Sequence, residues 1–299
     1  MGATVWPVTE NFVAEIGDVD LSAPLSDADF RIVEDAFERY AVLVFPDQVL
    51  SQDQHVAFAR RFGPIDRSMI VEVEGAKSRV PGEIADVSNL DSRGEILAPG
   101  NRLRLFQLGN QLWHTDSAFK HVPAKASLLY QRSIAQTGGQ TEFADLRAAW
   151  DALPEAMKRK VEGLVAEHAI AYSRAKLGFA MTENEQRALP PVRQVLVRHH
   201  PSSGRTSLYL AAHAGRIVGM AEQAGQALLA ELMEFATQRQ FVHTHRWRVN
   251  DVVMWDTRCT MHRGRPFDDQ RWKRDAQRAT VEDVANTLEQ ESVPARAAG

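Results

Sequence analysis

Short runs of strand-forming residues recur along this chain, at 41–45, 127–133, 192–199, 207–211, 241–247 and 251–255. They constrain the fold more than any other feature, because both halves of the sequence contribute strands. The helical segments between them are few and fall in blocks. Residues 26–40 start on a capping Ser26 and carry Phe30, Val33, Phe37 and Tyr40 at helical spacing. Residues 51–62 open with Ser51 and Gln54 in capping-box register and stop at Gly63. Residues 153–166 put Pro154 in a first turn, where its missing N–H costs nothing. Residues 221–240 set Ala224, Leu228, Leu229, Leu232, Met233 and Phe235 on one broad apolar face. The pattern predicts an α+β fold, a β-sandwich or barrel flanked by helices. Two irregular stretches, 74–104 and 174–191, are long enough to be lids over a site or plain surface excursions.

No repeat, low-complexity run or Gly/Ser linker divides the 299 residues, so one domain over 1–299 is expected. A formal charge of −4 gives no general reason to expect nucleic acid or an anionic membrane as partner. The longest apolar stretches, such as 41–46, are far too short to span a bilayer. Residues 1–7 carry no basic segment followed by an apolar one, and Trp6 stands where a myristoylation signal wants Ser or Thr. The one cysteine, Cys259, excludes an internal disulfide framework and a multi-thiolate zinc site. A cytoplasmic protein with a small-molecule substrate is the expectation; whether it forms a homo-oligomer stays open.

The most informative segment is 110–116, NQLWHTD. His114 and Asp116 are two apart, so on extended backbone both side chains leave the same face and can converge on one ion. A third ligand must come from elsewhere, and His262, after the apolar run at 251–255, is the best candidate. Two histidines and one carboxylate leave coordination positions open, which suits non-haem Fe(II). Structural zinc would close all four positions and would usually recruit sulfur. Taken alone, His-x-Asp is a weak signal, since a hydrogen-bonded His–Asp pair is the commoner use of two such residues. Downstream of His262 lie Arg263, Arg265, Arg271, Lys273, Arg274 and Arg278. If the chain turns and returns as a further strand, the guanidinium groups of Arg274 and Arg278 reach the metal pocket, and such groups suit a dicarboxylate cosubstrate. The other four fit a solvated basic surface.

With these residues in place, the sequence resembles the taurine / 2,4-dichlorophenoxyacetate dioxygenase family of Fe(II)- and 2-oxoglutarate-dependent oxygenases. The resemblance runs through 43–46 (LVFP), 54–63 with its ARRFG, 113–116 (WHTD), 138–143 (GGQTEF), 254–258 (MWDTR), His262 and 278–280 (RAT). It implies a distorted double-stranded β-helix, or jelly-roll, core with His114, Asp116 and His262 as iron ligands. It implies that Thr141 and Arg274 hold the distal carboxylate of 2-oxoglutarate, that Asn110 lies near cosubstrate and substrate, and that O₂ is the oxidant. Arg278 matches an arginine close to the substrate anion in members that act on acids. Two departures stand out. Gln140 replaces a frequent Asp, and one extra residue between His262 and Arg274 leaves Lys273 as a competitor for the Arg274 role.

Segments 145–154 (DLRAAWDALP) and 236–247 (ATQRQFVHTHRW), with His213, are similar to the aryloxyalkanoate branch. That likeness implies hydroxylation of the carbon beside an ether oxygen, with collapse to a phenol plus glyoxylate or pyruvate. Rival readings are a relative acting on sulfonates such as taurine or on alkyl sulfates, and a catalytically silent jelly-roll protein that keeps its metal site. His213 and His200 are candidates for substrate contact, as donors to an anionic or ether oxygen, or else ordinary hydrogen-bonded histidines. His243 and His245 also stand two apart, but an exposed strand face is the first expectation for them. Cys259 fits a small buried apolar residue. Trp113 and Trp255 either wall the pocket or fill the core.

Overall fold

The computed structural model describes residues 2–67, 79–200 and 203–290. Its largest sheet has seven strands in the order Thr4–Pro7, Val13–Gly17, Val42–Phe45, Val252–Asp256, Ala124–Ser133, Asp275–Glu282 and Ala85–Asp86. All neighbours are antiparallel except Val13–Gly17 beside Val42–Phe45. Alternate residues of one strand leave opposite faces, and each face here has its own partner. Val252 and Met254 join Leu43, Phe45 and Leu128 against the helices Asp27–Tyr40 and Gln52–Arg60, through Val33, Phe37 and Phe58. Val253 and Trp255 leave the other face, with Val42, Val44 and Leu129, and meet Phe143, Trp247 and Cys259. A fully apolar strand such as Val252–Asp256 is therefore covered on both sides, as its composition requires.

Phe143 belongs to a three-stranded antiparallel sheet, Val242–His245, Thr141–Asp145 and Thr260–Gly264, that faces the large one. Its outward residues Ala144 and Met261 pack on the helix Glu222–Ala236 through Leu228, Leu229 and Leu232. The fold is thus mixed, with helices outside paired sheets. The polar corner of interest lies between those sheets, where His262 and Phe143 occupy opposed positions.

Both early helices hold to their expected starts. Ser26 accepts from the Asp29 N–H, and Ser51 and Gln54 close the expected capping box. The segment 153–166 does not stay helical. A helix covers Glu155–Val161, Gly163 turns the chain at φ +77°, and Val165–His168 continues as a strand. A left-handed glycine ends a helix whatever the apolar spacing beyond it. The run at 192–199 splits at Leu196, whose N–H donates to Leu164 O and whose carbonyl accepts from the Tyr209 N–H. Of the two irregular stretches, residues 74–78 lie outside the described residues. The remainder holds the short strand Ala85–Asp86 and the start of the helix Arg102–Gln107, while 174–191 holds the helix Glu183–Ala188. No helix among the described residues is long and apolar enough to cross a membrane.

Candidate active site

Backbone pairing builds the site. The chain leaves a tight turn at Leu108–Gln111 in extended conformation, and His114 then pairs with His262. The two residues exchange both backbone hydrogen bonds, His114 N–H to His262 O at 3.0 Å and His262 N–H to His114 O at 2.9 Å. Directly opposed antiparallel residues put their side chains on the same face. The two rings accordingly lie 4.2 Å apart between centroids. Asp116, two residues on, joins them, and Ser117 turns the chain away at φ +54°. Thr115 points the other way and pins the segment by donating to Leu210 O at 2.8 Å.

The three donor groups are buried and lie within 4.8 Å of one another. Asp116 Oδ1 is 3.8 Å from His114 Nε2, and its Oδ2 is 3.8 Å from His262 Nε2. His114 Nδ1 donates to Leu112 O at 2.7 Å, which leaves Nε2 bare and able to bind a metal. His262 is held by packing, with the Trp255 ring 4.6 Å away and the Phe143 ring stacked at 6.1 Å. Ser127, on the facing sheet, donates to Asp116 Oδ2 at 2.7 Å, and Arg278 pairs with Oδ1. Burial alone would raise the Asp116 carboxyl, but Arg278, the two histidines and Ser127 together bring it down to about 2. Burial also lowers both histidines below their usual range, so they are neutral at pH 7. Two neutral imidazoles and one ionised carboxylate fit a divalent cation such as Fe(II).

Thr141 and Arg274 show the features an acidic cosubstrate needs. The Thr141 hydroxyl accepts from Trp247 Nε1 at 3.0 Å, which leaves its own hydrogen to donate. The strand register puts Thr141 two residues from Phe143, the partner of His262. Arg274 sits at the mouth of the returning strand Asp275–Glu282, with Nη1 on Val87 O at 3.1 Å and no carboxylate partner among the described residues. Burial lowers its guanidinium to about 10, still protonated at neutral pH. Lys273 is exposed and committed elsewhere, to Gly94 O at 2.7 Å and Glu95 at 3.1 Å.

His114, Asp116 and Arg278 open into a cavity of about 340 Å³, which Asn110 and His213 also line. Both irregular stretches contribute walls, Leu90 and Leu97 from the first and Arg174 and Leu189 from the second. His213 stands 6.0 Å from the His114 ring and meets the Phe119 ring edge-on at 5.0 Å. Its Nδ1 lies 2.9 Å from Ser173 Oγ, whose own hydrogen goes to Ile170 O at 2.8 Å. Nδ1 is therefore the donor, and Nε2 is left as an acceptor rather than the expected donor.

His200 is a correction. Its Nε2 lies 3.0 Å from Asp256, its Nδ1 is 3.5 Å from Glu38, and Arg258 grips the same Asp256. That buried charge cluster holds it away from the residues lining the cavity. His245 is likewise buried rather than exposed, bonded to Asp251 at 3.1 Å and set edge-on to Trp247. Cys259 is buried, and burial pushes its thiol up, away from reactivity. Trp255 braces His262, and Trp113 lies under Arg263 at 4.6 Å, so neither is among the cavity-lining residues. Sequence reasoning missed Ser127, Trp247 and Arg174. Ser127 alone had a visible signal, as a polar residue inside an apolar strand.

Three buried donors of this kind suit a mononuclear metal enzyme that keeps coordination positions open for its reactants. The chain belongs to the taurine catabolism dioxygenase TauD, TfdA family, whose model matches residues 4–280. It is 43% identical over 287 residues to the alpha-ketoglutarate-dependent 2,4-dichlorophenoxyacetate dioxygenase of Cupriavidus pinatubonensis, a match covering 95% of this chain and 99% of the relative. It is 37% identical over 271 residues to the (S)-phenoxypropionate/alpha-ketoglutarate-dioxygenase of Sphingobium herbicidovorans, covering 88% and 89%. The crystal structure of AAD-2 in complex with Mn(II) and N-oxalylglycine superposes with a TM-score of 0.91 at 44% identity, covering 96% of this chain and all of that one.

Proposed function

We propose that this chain, a 2-oxoglutarate-dependent non-haem iron dioxygenase, hydroxylates the side-chain carbon of an aryloxyalkanoate. The product collapses to a phenol plus glyoxylate or pyruvate. One observation carries the reading: two of the three metal-ligating side chains and the Arg278 guanidinium open into a single cavity whose lining, polar over much of its surface, also includes the apolar side chains of Phe106, Phe119, Ile170 and Leu189. An aryl acid needs that combination, an apolar slot for the ring and a cation beside the metal for the carboxylate. The relatives named above, which act on aryloxyalkanoates, support it.

His114, Asp116 and His262 would hold ferrous iron, which would let one O₂ oxidise both 2-oxoglutarate, to succinate and CO₂, and the substrate C–H, to C–OH. The protein's part is placement. His114 and His262 present bare nitrogens, one fixed by Leu112 and the other by aromatic packing. Arg274 and Thr141 are assigned to the far carboxylate of 2-oxoglutarate, and Asn110 lines the cavity beside His114 and Asp116. Arg278 takes the substrate carboxylate and so sets which C–H faces the metal. The paired sheets are read as a distorted double-stranded β-helix, and the chain as one catalytic domain over 1–299. Sparse cysteine suits the reducing cytoplasm.

The test is succinate release with Fe(II) across phenoxyacetate, 2-phenoxypropionates, indole-3-acetate, taurine and alkyl sulfates. Turnover is expected with the aryloxyalkanoates. Turnover with taurine or alkyl sulfates alone overturns the substrate class and leaves the dioxygenase intact. Replacing Arg278 with Ala is expected to raise KM for the aryl acid at least about 10-fold, as for one lost charge-assisted hydrogen bond. It should also release succinate without matching phenol; unchanged kinetics in Arg278→Ala exclude the assignment.

A further inference from the structure

The described residues include four buried arginines, and three of them follow one rule. Arg147 is paired with Asp145, Arg258 with Asp256 and Arg198 with Asp283. Arg174 breaks it. It is 4% exposed, in the short helix Ile170–Ala175, and has no carboxylate partner among the described residues. Its Nη1 donates to Ser173 Oγ at 3.1 Å, and its Nε is buried with no partner. The Phe106 ring lies beneath the guanidinium at 4.1 Å. Burial lowers it only to about 10, so the charge persists at neutral pH. A buried cation without a counter-charge is costly to a fold and is more easily replaced than kept.

The neighbouring backbone leaves room for this side chain. A Cβ on Gly109 would stand 1.9 Å from Arg174 Nη1 and 2.2 Å from its Cζ. The glycine thus clears a slot for the guanidinium, one residue before Asn110. The slot opens on the cavity shared by His114, Asp116 and Arg278. Arg278 has a counter-charge within the chain, in Asp116. Among the described residues Arg174 has none, so an anion entering the cavity meets one cation they leave unbalanced.

We propose that Arg174 is a second anion-binding residue of the substrate cavity, gripping the substrate carboxylate and making the enzyme select acids over their neutral derivatives. The inference rests on the reading that the substrate is an aryl acid. One carboxylate has two oxygens and about four acceptor positions, enough for contacts to both Arg174 and Arg278.

The experiment compares wild type, Arg174→Gln and Arg174→Lys, each loaded with Fe(II) and 2-oxoglutarate. Anaerobic Kd values for phenoxyacetate and phenoxyacetamide, KM for 2-oxoglutarate and Tm with and without phenoxyacetate are measured. Arg174→Gln is expected to weaken phenoxyacetate binding about 10-fold to 100-fold. Phenoxyacetamide affinity and KM for 2-oxoglutarate should not change. Tm without substrate should hold or rise, because an unpaired buried charge is gone, and the rise on adding phenoxyacetate should shrink. Arg174→Lys, which keeps the charge without the fork, should fall between. Equal loss for acid and amide, unchanged acid affinity, or a Tm lowered in both variants overturns the proposal. If wild type turns over only taurine or an alkyl sulfate, the aryloxyalkanoate reading fails separately. The Arg174→Gln comparison is then made with that anion: weaker binding supports Arg174, and unchanged binding overturns it.

Discussion

Replacing Asp116 with Ala is expected to lower Fe(II) affinity more than about 100-fold and to abolish succinate release. The magnitude follows from its position. Partners one step removed from a metal typically change affinity by about 10-fold to 100-fold, and Asp116 is the only anionic donor of the three. Its loss also frees Arg278, whose guanidinium now pairs with the carboxylate and would instead face two imidazoles with its charge unbalanced. A cation would then have to bind next to another cation. Ser127→Ala gives the graded control, because it removes one hydrogen bond to Oδ2 and leaves the charge. Its effect should stay near about 10-fold. Anaerobic metal titration of the two variants, read beside succinate release, checks both. An Asp116→Ala protein that binds Fe(II) like wild type would place the metal elsewhere.

How much of this could be read from the sequence depended on distance along the chain. His114 and Asp116 were legible because a spacing of two on extended backbone is a local rule. The arginines after His262 were legible because the chain does turn and return, and Arg274 and Arg278 fall at and in the strand Asp275–Glu282. The pairing of His114 with His262 was not local. It is an isolated bridge between two distant segments, and nothing in either announces the other. The strands Thr141–Asp145 and Thr260–Gly264 went unseen for a related reason. They are five residues each and mix charge with apolar residues, so only their register reveals a buried face. His200 was misplaced because its partner Asp256 lies on another strand, and a histidine at the end of an apolar run carries no sign of which neighbour will claim it. Arg174 was hidden by its helix, since one arginine after apolar residues ordinarily reaches solvent.

Two histidines outside the site should add measurably to the acid sensitivity of the fold. His55 is fully buried, with Nε2 on Leu128 O at 3.1 Å and Nδ1 without a partner; burial lowers it to about 4. Among the described residues neither ring nitrogen of His168 has a partner, and burial lowers it to about 3. An unfolded histidine titrates near ~6.5. Between that value and the folded ones the unfolded chain binds protons that the native state refuses, so stability rises with pH. The stability is fully present above the unfolded value and is lost as pH falls toward the folded ones. Each histidine contributes a slope of about 1.4 kcal/mol per pH unit. Acidifying from about pH 6.5 to about pH 5 should therefore cost about 2 kcal/mol for each, roughly 4 kcal/mol together. Urea unfolding at several pH values, with His168→Leu beside wild type, isolates one share. The variant should lose about one proton's worth of slope while holding its stability near pH 7, since leucine leaves no unpaired ring nitrogen in the core. An unchanged slope in His168→Leu would mean that the imidazole finds a proton-accepting partner on acidification, and that its burial does not set the acid limit.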